Sequence, residues 1–324
     1  MRYQLVYLII FSVTFLVTTL VIPWVKALGV RYKLLDFPDN RKSKYHIPKV
    51  RIGGLAFFIG FITSIFLLLI FSYFNNNIIL DNNFLFLIVI ISAGFFGIGF
   101  TDDMFSLSPI WRLFLQYFLA TFICIKGLKI EFLDLSILKS SLNPIYIPNF
   151  LSIILTSTWI VGIINCINWI DGLDGLAAGC SLIMFITLFL ISYSKSQFTV
   201  SIISLIFSAI CMGFLRFNFK PAKILMGDGG SYLLGFSLAY LTILSGSDPI
   251  KGLDLRVPTL ILFYPLIDMV AVIVNRIKNK TLPIYPDKSH FHHRILKAVN
   301  NEVLTVSILY LITIFPCIIV LSIY

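Results

Sequence analysis

Residues Asn165–Ala177 read N-C-I-N-W-I-D-G-L-D-G-L-A, with two amides and two carboxylates between apolar stretches each long enough to enter a bilayer. Charged groups at the edge of a hydrocarbon layer are costly, so Asp171 and Asp174 mark a functional site by default. On a helix beginning near Gly172, Asp171 is expected at the N-terminal end and Asp174 in the first turn, where the helix dipole favours anions. Gly172 and Gly175 would let a ligand approach the backbone. A helix cap at a membrane boundary accounts for one Asp, but not for Asn-x-x-Asn-x-x-Asp-Gly-x-Asp-Gly as a unit.

The composition around this stretch is that of a polytopic membrane protein. Of 324 residues, 58% are hydrophobic and 12% charged, about half the charged share of a soluble domain. The formal charge of +10 therefore reads as topology-setting charge rather than a nucleic-acid surface. Cys124, Cys166, Cys180, Cys211 and Cys317 lie scattered in apolar segments without a C-x-x-C pair, which predicts neither disulfides nor a zinc site. The apolar run from Tyr3 to Val25 is too long for a signal-peptide core and reads as a retained span.

Taking spans of roughly 17–25 residues, the sequence predicts an all-α chain, a single domain over 1–324, with about ten transmembrane helices. They are Tyr3–Val25, Gly53–Tyr73, Phe84–Phe100, Ile110–Ile125, Phe150–Ile164, Leu176–Tyr193, Val200–Leu215, Ser231–Ser245, Val257–Val274 and Val303–Tyr324. The fifth and eighth are weakest by length. Gly94, Gly97 and Gly99 in the third would permit close helix approach. Most Lys and Arg fall in odd-numbered loops; the exceptions are Arg2, Lys126, Lys129, Lys139, Lys195, Lys251 and Arg256. The positive-inside rule then puts the odd loops in the cytoplasm and both termini outside. Asp102-Asp103, Asn165–Asp174, Gly227–Gly230 and His290–His293 all fall on odd loops, so they are expected to converge on one face. Ile130–Pro148 reads as a small external hairpin on the membrane.

Each constellation suggests chemistry. Asp102 and Asp103 repel unless a cation or proton lies between them, so they read as a cation site or a proton acceptor. The glycines around Asp228 free backbone N–H groups for an anion, with Asp228 holding its metal. His290, His292 and His293 sit beside Lys288 and Arg294, which favours phosphate over metal. The first loop, from Asp36 through Arg41, Lys42 and His46 to Gly53-Gly54, joins basic residues to a Gly-Gly helix start. Mg²⁺ takes one or two carboxylates plus substrate phosphates, and such a layout suits phosphoryl transfer.

Together these motifs, from Asp36 to Arg294, resemble the polyprenyl-phosphate N-acetylhexosamine-1-phosphate transferases, bacterial membrane enzymes that begin cell-surface polysaccharides. Five pieces match in family order: Asp36 to Gly53-Gly54, Asp102-Asp103, Asn165–Ala177, Gly227–Ser231 and His290–His293. The resemblance implies attack by undecaprenyl phosphate on the β-phosphorus of a UDP-N-acetylhexosamine, releasing UMP, with Mg²⁺ or Mn²⁺ as cofactor. It implies Asp228 as metal ligand and Asp102 and Asp103 as the catalytic pair. Asn165, Asn168, Asp171 and Asp174 would line the nucleotide-sugar pocket. His290, His292, His293 and Arg294 would hold phosphate or sugar, with Arg41 and Lys42 also binding substrate. The implied location is the bacterial inner membrane, with a cytoplasmic cleft open sideways to a prenyl groove, no nucleic-acid partner and room for a homodimer. The His-x-His-His form resembles the branch using simple UDP-N-acetylhexosamines; the UDP-N-acetylmuramoyl-pentapeptide branch carries another histidine run. Where the family usually has His, eight residues before Gly53, this chain has Tyr45, with His46 beside it. The rival readings are an ion-coupled transporter and a non-catalytic scaffold. No internal repeat supports the first, and the intact acidic motifs oppose the second.

Overall fold

A computed structural model describes residues 2–36, 48–74, 82–134, 143–248, 250–279 and 290–324. The helices are α1 (Arg2–Arg31), α2 (Gly54–Phe74), α3 (Asn82–Phe105), α4 (Pro109–Ile125), α5 (Asn149–Ile170), α6 (Leu176–Ser194), α7 (Phe198–Asn218), α8 (Gly227–Gly246), α9 (Arg256–Ile261), α10 (Phe263–Lys278), α11 (Phe291–Val299) and α12 (Glu302–Ile323). Seven of them, α1, α2, α3, α5, α6, α7 and α12, are long and apolar enough to cross a membrane.

The other three expected spans depart from that standard for visible reasons. α4 has 17 residues. α8 has 20 but begins with polar Gly-Asp-Gly-Gly-Ser, and it can be less apolar because protein, not lipid, surrounds it. Val257–Val274 is two helices, broken at Leu262. Pro265 there lacks the N–H that would bond the carbonyl four residues back, and its ring clashes with that carbonyl. The fifth span, weak by length in the sequence, is a full helix of 22 residues, because Asn165 and Asn168 continue it in spite of their polarity.

α8 is the axis of the molecule, buried along nearly its whole length and packed by α2, α3 and α5. Small residues make this possible. A Cβ on Gly54 would lie 2.2 Å from Gly230 N, one on Gly99 2.3 Å from Asp228 O, and one on Gly235 2.6 Å from Ile164 Cα. Gly97, by contrast, faces open space, so only part of the expected glycine face of α3 is a packing face. α6 and α7 pack together, with α1 and α2 beyond α7 and α12 against α6.

The odd-numbered connections meet at one end of this bundle. Strands β1 (Leu35–Asp36) and β2 (Lys49–Val50) pair there antiparallel, and Leu225 N donates to Val50 O at 2.8 Å. At the other end β3 (Phe132–Leu133), β4 (Ile145–Tyr146), β5 (Ser247–Asp248) and β6 (Gly252–Leu253) form a sheet in the order β4-β3-β6-β5. The hairpin expected from Ile130–Pro148 is thus the β3–β4 pair. All five cysteines are buried and free.

Candidate active site

The decisive stretch folds differently from its expected helix start. α5 runs through Asn165 and Asn168 to Ile170, and α6 starts only at Leu176 behind Gly175, whose φ of 80° suits a residue without a Cβ. Asp171 therefore closes α5 at its C-terminal end, where the helix dipole disfavours an anion. Its carboxyl is raised to about 7, first by withdrawal from water and then by the Asp228 charge.

Asp228, in the first turn of α8, is the hub. Its Oδ1 accepts from Asn168 Nδ2 at 2.9 Å and from Arg51 Nη2 at 3.0 Å, and its Oδ2 from Arg112 Nη1 at 3.5 Å. Asn168 Nδ2 also lies 3.0 Å from Ser231 Oγ. Asp102 accepts from Arg112 Nη1 at 2.7 Å and from Leu107 N at 2.7 Å, so one guanidinium nitrogen bridges Asp102 and Asp228. Burial works against the Arg51 charge, but Asp228 and Asp103 hold that guanidinium above its ordinary range.

Asp102 and Asp103 turn to different partners. Asp103 points into α8, accepting from Asp228 N at 2.8 Å, Gly229 N at 2.9 Å and Arg51 Nε at 3.0 Å. The free N–H groups expected to meet an external anion are thus capped by the chain's own carboxylate. Gly227, with φ 73°, lets this happen: a Cβ there would strike Arg51 O at 2.0 Å.

Asp174 also leaves the hub. It pairs with Lys49 at 3.3 Å and accepts from Ala222 N at 2.9 Å, while its own N–H faces Glu302 Oε1 at 3.3 Å. Glu302 pairs in turn with Lys220. Burial lowers the Lys49 ammonium from its usual range, and Asp174 pulls it back. This second knot ties the first, fifth, seventh and ninth loops together.

The histidine run borders the hub through Trp169 and Gly172. His290 meets Trp169 edge-on, with ring centroids 5.8 Å apart, and stacks on His292 at 5.3 Å. His292 is buried, and a Cβ on Gly172 would lie 2.4 Å from its Nε2. His293 lies 4.2 Å from His292, ring to ring. Arg294 is exposed, its guanidinium over the Phe291 ring at 5.6 Å. Arg41, Lys42 and His46 lie outside the described residues.

From Arg112 an apolar cavity of about 670 Å³ runs between α4, α5 and α10, lined by Leu113, Trp159, Gly162, Trp169 and Met269 among others. Asn165 lines it rather than joining the hub, donating to Gln116 Oε1 at 2.8 Å and to Val161 O at 2.8 Å.

Arg51 and Arg112 were legible only as loop charge, because the partner they share, Asp228, lies more than a hundred positions away in sequence. Asp268 carried a signal that sequence reading passed over, an acid inside an apolar span.

Among the described residues no group of three His, Cys, Asp or Glu is arranged to hold a metal ion. Mg²⁺ needs fewer protein ligands when substrate phosphates supply the rest. The Asp102–Asp228 pair, hard oxygens already bridged by a cation, fits that requirement, so these two side chains could hold Mg²⁺ or Mn²⁺.

A sequence profile of glycosyl transferase family 4 matches residues 85–246. A Bacillus subtilis protein named "Probable undecaprenyl-phosphate N-acetylglucosaminyl 1-phosphate transferase" is 34% identical over 302 residues, covering 93% of this chain and 80% of the relative. The decaprenyl-phosphate N-acetylglucosaminephosphotransferase of Mycobacterium tuberculosis is 29% identical over 313 residues, 89% of this chain and 75% of that protein. A phospho-N-acetylmuramoyl-pentapeptide-transferase of Prochlorococcus marinus is 34% identical over 258 residues, 75% of this chain and 68% of that protein.

Proposed function

We propose a reaction for this chain, which belongs to the polyprenyl-phosphate N-acetylhexosamine-1-phosphate transferase family within glycosyl transferase family 4: transfer of an N-acetylhexosamine 1-phosphate from its UDP-sugar to undecaprenyl phosphate. A lipid phosphate oxygen forms a bond to the β-phosphorus, the bond from that phosphorus to the bridging oxygen breaks, and UMP leaves. The observation that carries this reading is the hub itself. Two buried carboxylates and two arginines converge, and one of them, Arg112, also lines the apolar cavity, a place where a lipid phosphate and a nucleotide diphosphate could meet.

The chain's own residues divide the work. Asp228 and Asp102 would hold Mg²⁺, which when bound would supply charge neutralisation for the diphosphate and the departing UMP. Arg51 and Arg112 are more exposed than the acids they pair with. They turn to the phosphate oxygens, where a guanidinium fork fits well. Asp102, paired with the cavity-lining Arg112, orients the attacking lipid phosphate or takes its proton. Asp103 fixes the start of α8. Asn168 and Asp171 face the donor from the end of α5, and the histidines and Arg294 close over its diphosphate and sugar. The prenyl chain lies in the cavity between α4, α5 and α10. The basic hub face is cytoplasmic in a bacterial inner membrane, and both termini lie outside. His290, His292 and His293 support a simple N-acetylhexosamine donor over a muramoyl-pentapeptide.

The test supplies radiolabelled UDP-sugars, undecaprenyl phosphate and Mg²⁺ to purified protein. Organic-extractable label should form with a UDP-N-acetylhexosamine, and should vanish with chelator. Asp228→Asn should abolish exchange of UMP into lipid-linked sugar phosphate. No product from any donor in the panel, or substantial exchange in the Asn variant, defeats the reading.

A further inference from the structure

Asp268 is an acid in the middle of α10, only 1% exposed, and nothing above gives it a task. Both of its oxygens are used on one short turn of chain. Oδ2 lies 2.7 Å from His290 Nδ1, and Oδ1 accepts from Phe291 N at 2.6 Å. The first contact fixes the plane and tautomer of an imidazole. The second caps the N-terminus of α11, a nine-residue helix, with a carboxylate from another element. His290 is then held between Asp268 on one side and the Trp169 edge and His292 face on the others. Arg276, two turns further along α10, stacks its guanidinium over the same Trp169 ring at 5.1 Å. Trp169 follows Asn168, which bonds Asp228, so this stack abuts the hub.

We propose that Asp268 is a positioning residue for the transfer reaction: it keeps the proton of His290 on Nδ1 and so leaves Nε2 as the ring's unprotonated nitrogen for substrate. A carboxylate oxygen only accepts, so the nitrogen beside it must carry the hydrogen. The proposal rests on the transfer reading for its consequence in rate, but not for the tautomer.

Asp268→Asn separates orientation from anchoring. The amide oxygen can still accept from Phe291 N, while its NH₂ now faces His290 Nδ1 and donates to it, moving the ring proton to Nε2. The packing is nearly unchanged and the tautomer is inverted. Nitrogen NMR of the full protein in detergent, labelled at histidine, reads the result with His290→Gln for assignment. Protonated Nδ1 is expected in the parent and protonated Nε2 in Asp268→Asn. In the transfer assay Asp268→Asn should lose about a hundredfold in kcat, on the scale of removing one positioned proton-transfer or hydrogen-bonding group. Asp268→Glu should recover part of it. The Asp268→Asn/His290→Gln double variant should be no slower than the slower single one, because both act through one ring. An unchanged tautomer, a near-parental rate for Asp268→Asn in folded protein, or multiplying effects in the double variant each overturn the proposal. If the parent itself makes no lipid-linked product, the transfer reading has failed, while the tautomer measurement still decides whether Asp268 orients His290.

Discussion

Gly99→Ala tests whether the position of α8 against α3 sets the geometry of the hub. The added Cβ would lie 2.3 Å from Asp228 O and 2.6 Å from Gly229 N. Carbon and oxygen approach no closer than about 3.3 Å even in favourable contacts, so the two backbones must part by about 1 Å. Neither is the tip of a flexible side chain that could swing away. Overpacking of this kind costs about 1–3 kcal/mol, and the better helix propensity of Ala returns about 1 kcal/mol of it. Stability should therefore fall by at most about 2 kcal/mol. Rate should change greatly, because the displaced atoms belong to Asp228, and about 1 Å of misplacement costs on the order of a hundredfold. Two neighbours on the same helix are internal controls. A Cβ on Gly97 meets nothing within 4 Å, and one on Gly94 meets only the mobile end of Leu119, at 2.7 Å. Initial rates at saturating donor and acceptor, with thermal unfolding in detergent alongside, should rank Gly97→Ala near the parent, Gly94→Ala slightly below and Gly99→Ala far below. A Gly99→Ala enzyme within twofold of the parent, or a Gly97→Ala enzyme equally slow, would refute the reasoning.

Further outcomes follow from the same contacts. Asp103→Asn replaces one of the two oxygens that accept from Asp228 N and Gly229 N by an NH₂ donor, and a buried group left unsatisfied costs about 1–3 kcal/mol; unfolding temperature and rate should fall together. Asp102→Asn can still accept from Leu107 N, so it should lose rate with the smaller loss of stability, and the reverse order would contradict the division of labour between them. In metal-free buffer Asp171 binds its proton more tightly folded than unfolded, its folded value being about 7. Its contribution to stability should therefore fall as pH rises from about 4 to 7, and Asp171→Asn should remove that slope in pH-dependent unfolding. Gly162 lines the cavity with open space before its Cβ position; Gly162→Phe should raise KM for the lipid acceptor severalfold and leave donor KM unchanged.

Much of this protein is set by sequence composition and order alone. Apolar runs longer than a bilayer is thick become helices because hydrocarbon leaves backbone polar groups no other partner. Alternating loops then deal the motifs to one face, whichever helices they touch. That is why Asp102, Asn168, Asp171, Asp228 and His292 could be expected together before any distance was known. Three-dimensional packing decided what each side chain does there. Asp102 and Asp103 are adjacent in sequence, yet one pairs with Arg112 and the other caps α8, because neighbouring helical positions point about 100° apart and the partner helix lies on only one side. Asp171 and Asp174 parted for a related reason, the helix ending at Ile170 and not beginning at Gly172. Arg51, Arg112 and Asp268 gained their roles from partners brought close only by folding. Periodicity and hydropathy record where a residue lies relative to the membrane; which oxygen meets which nitrogen depends on the angle and separation of helices far apart in the chain.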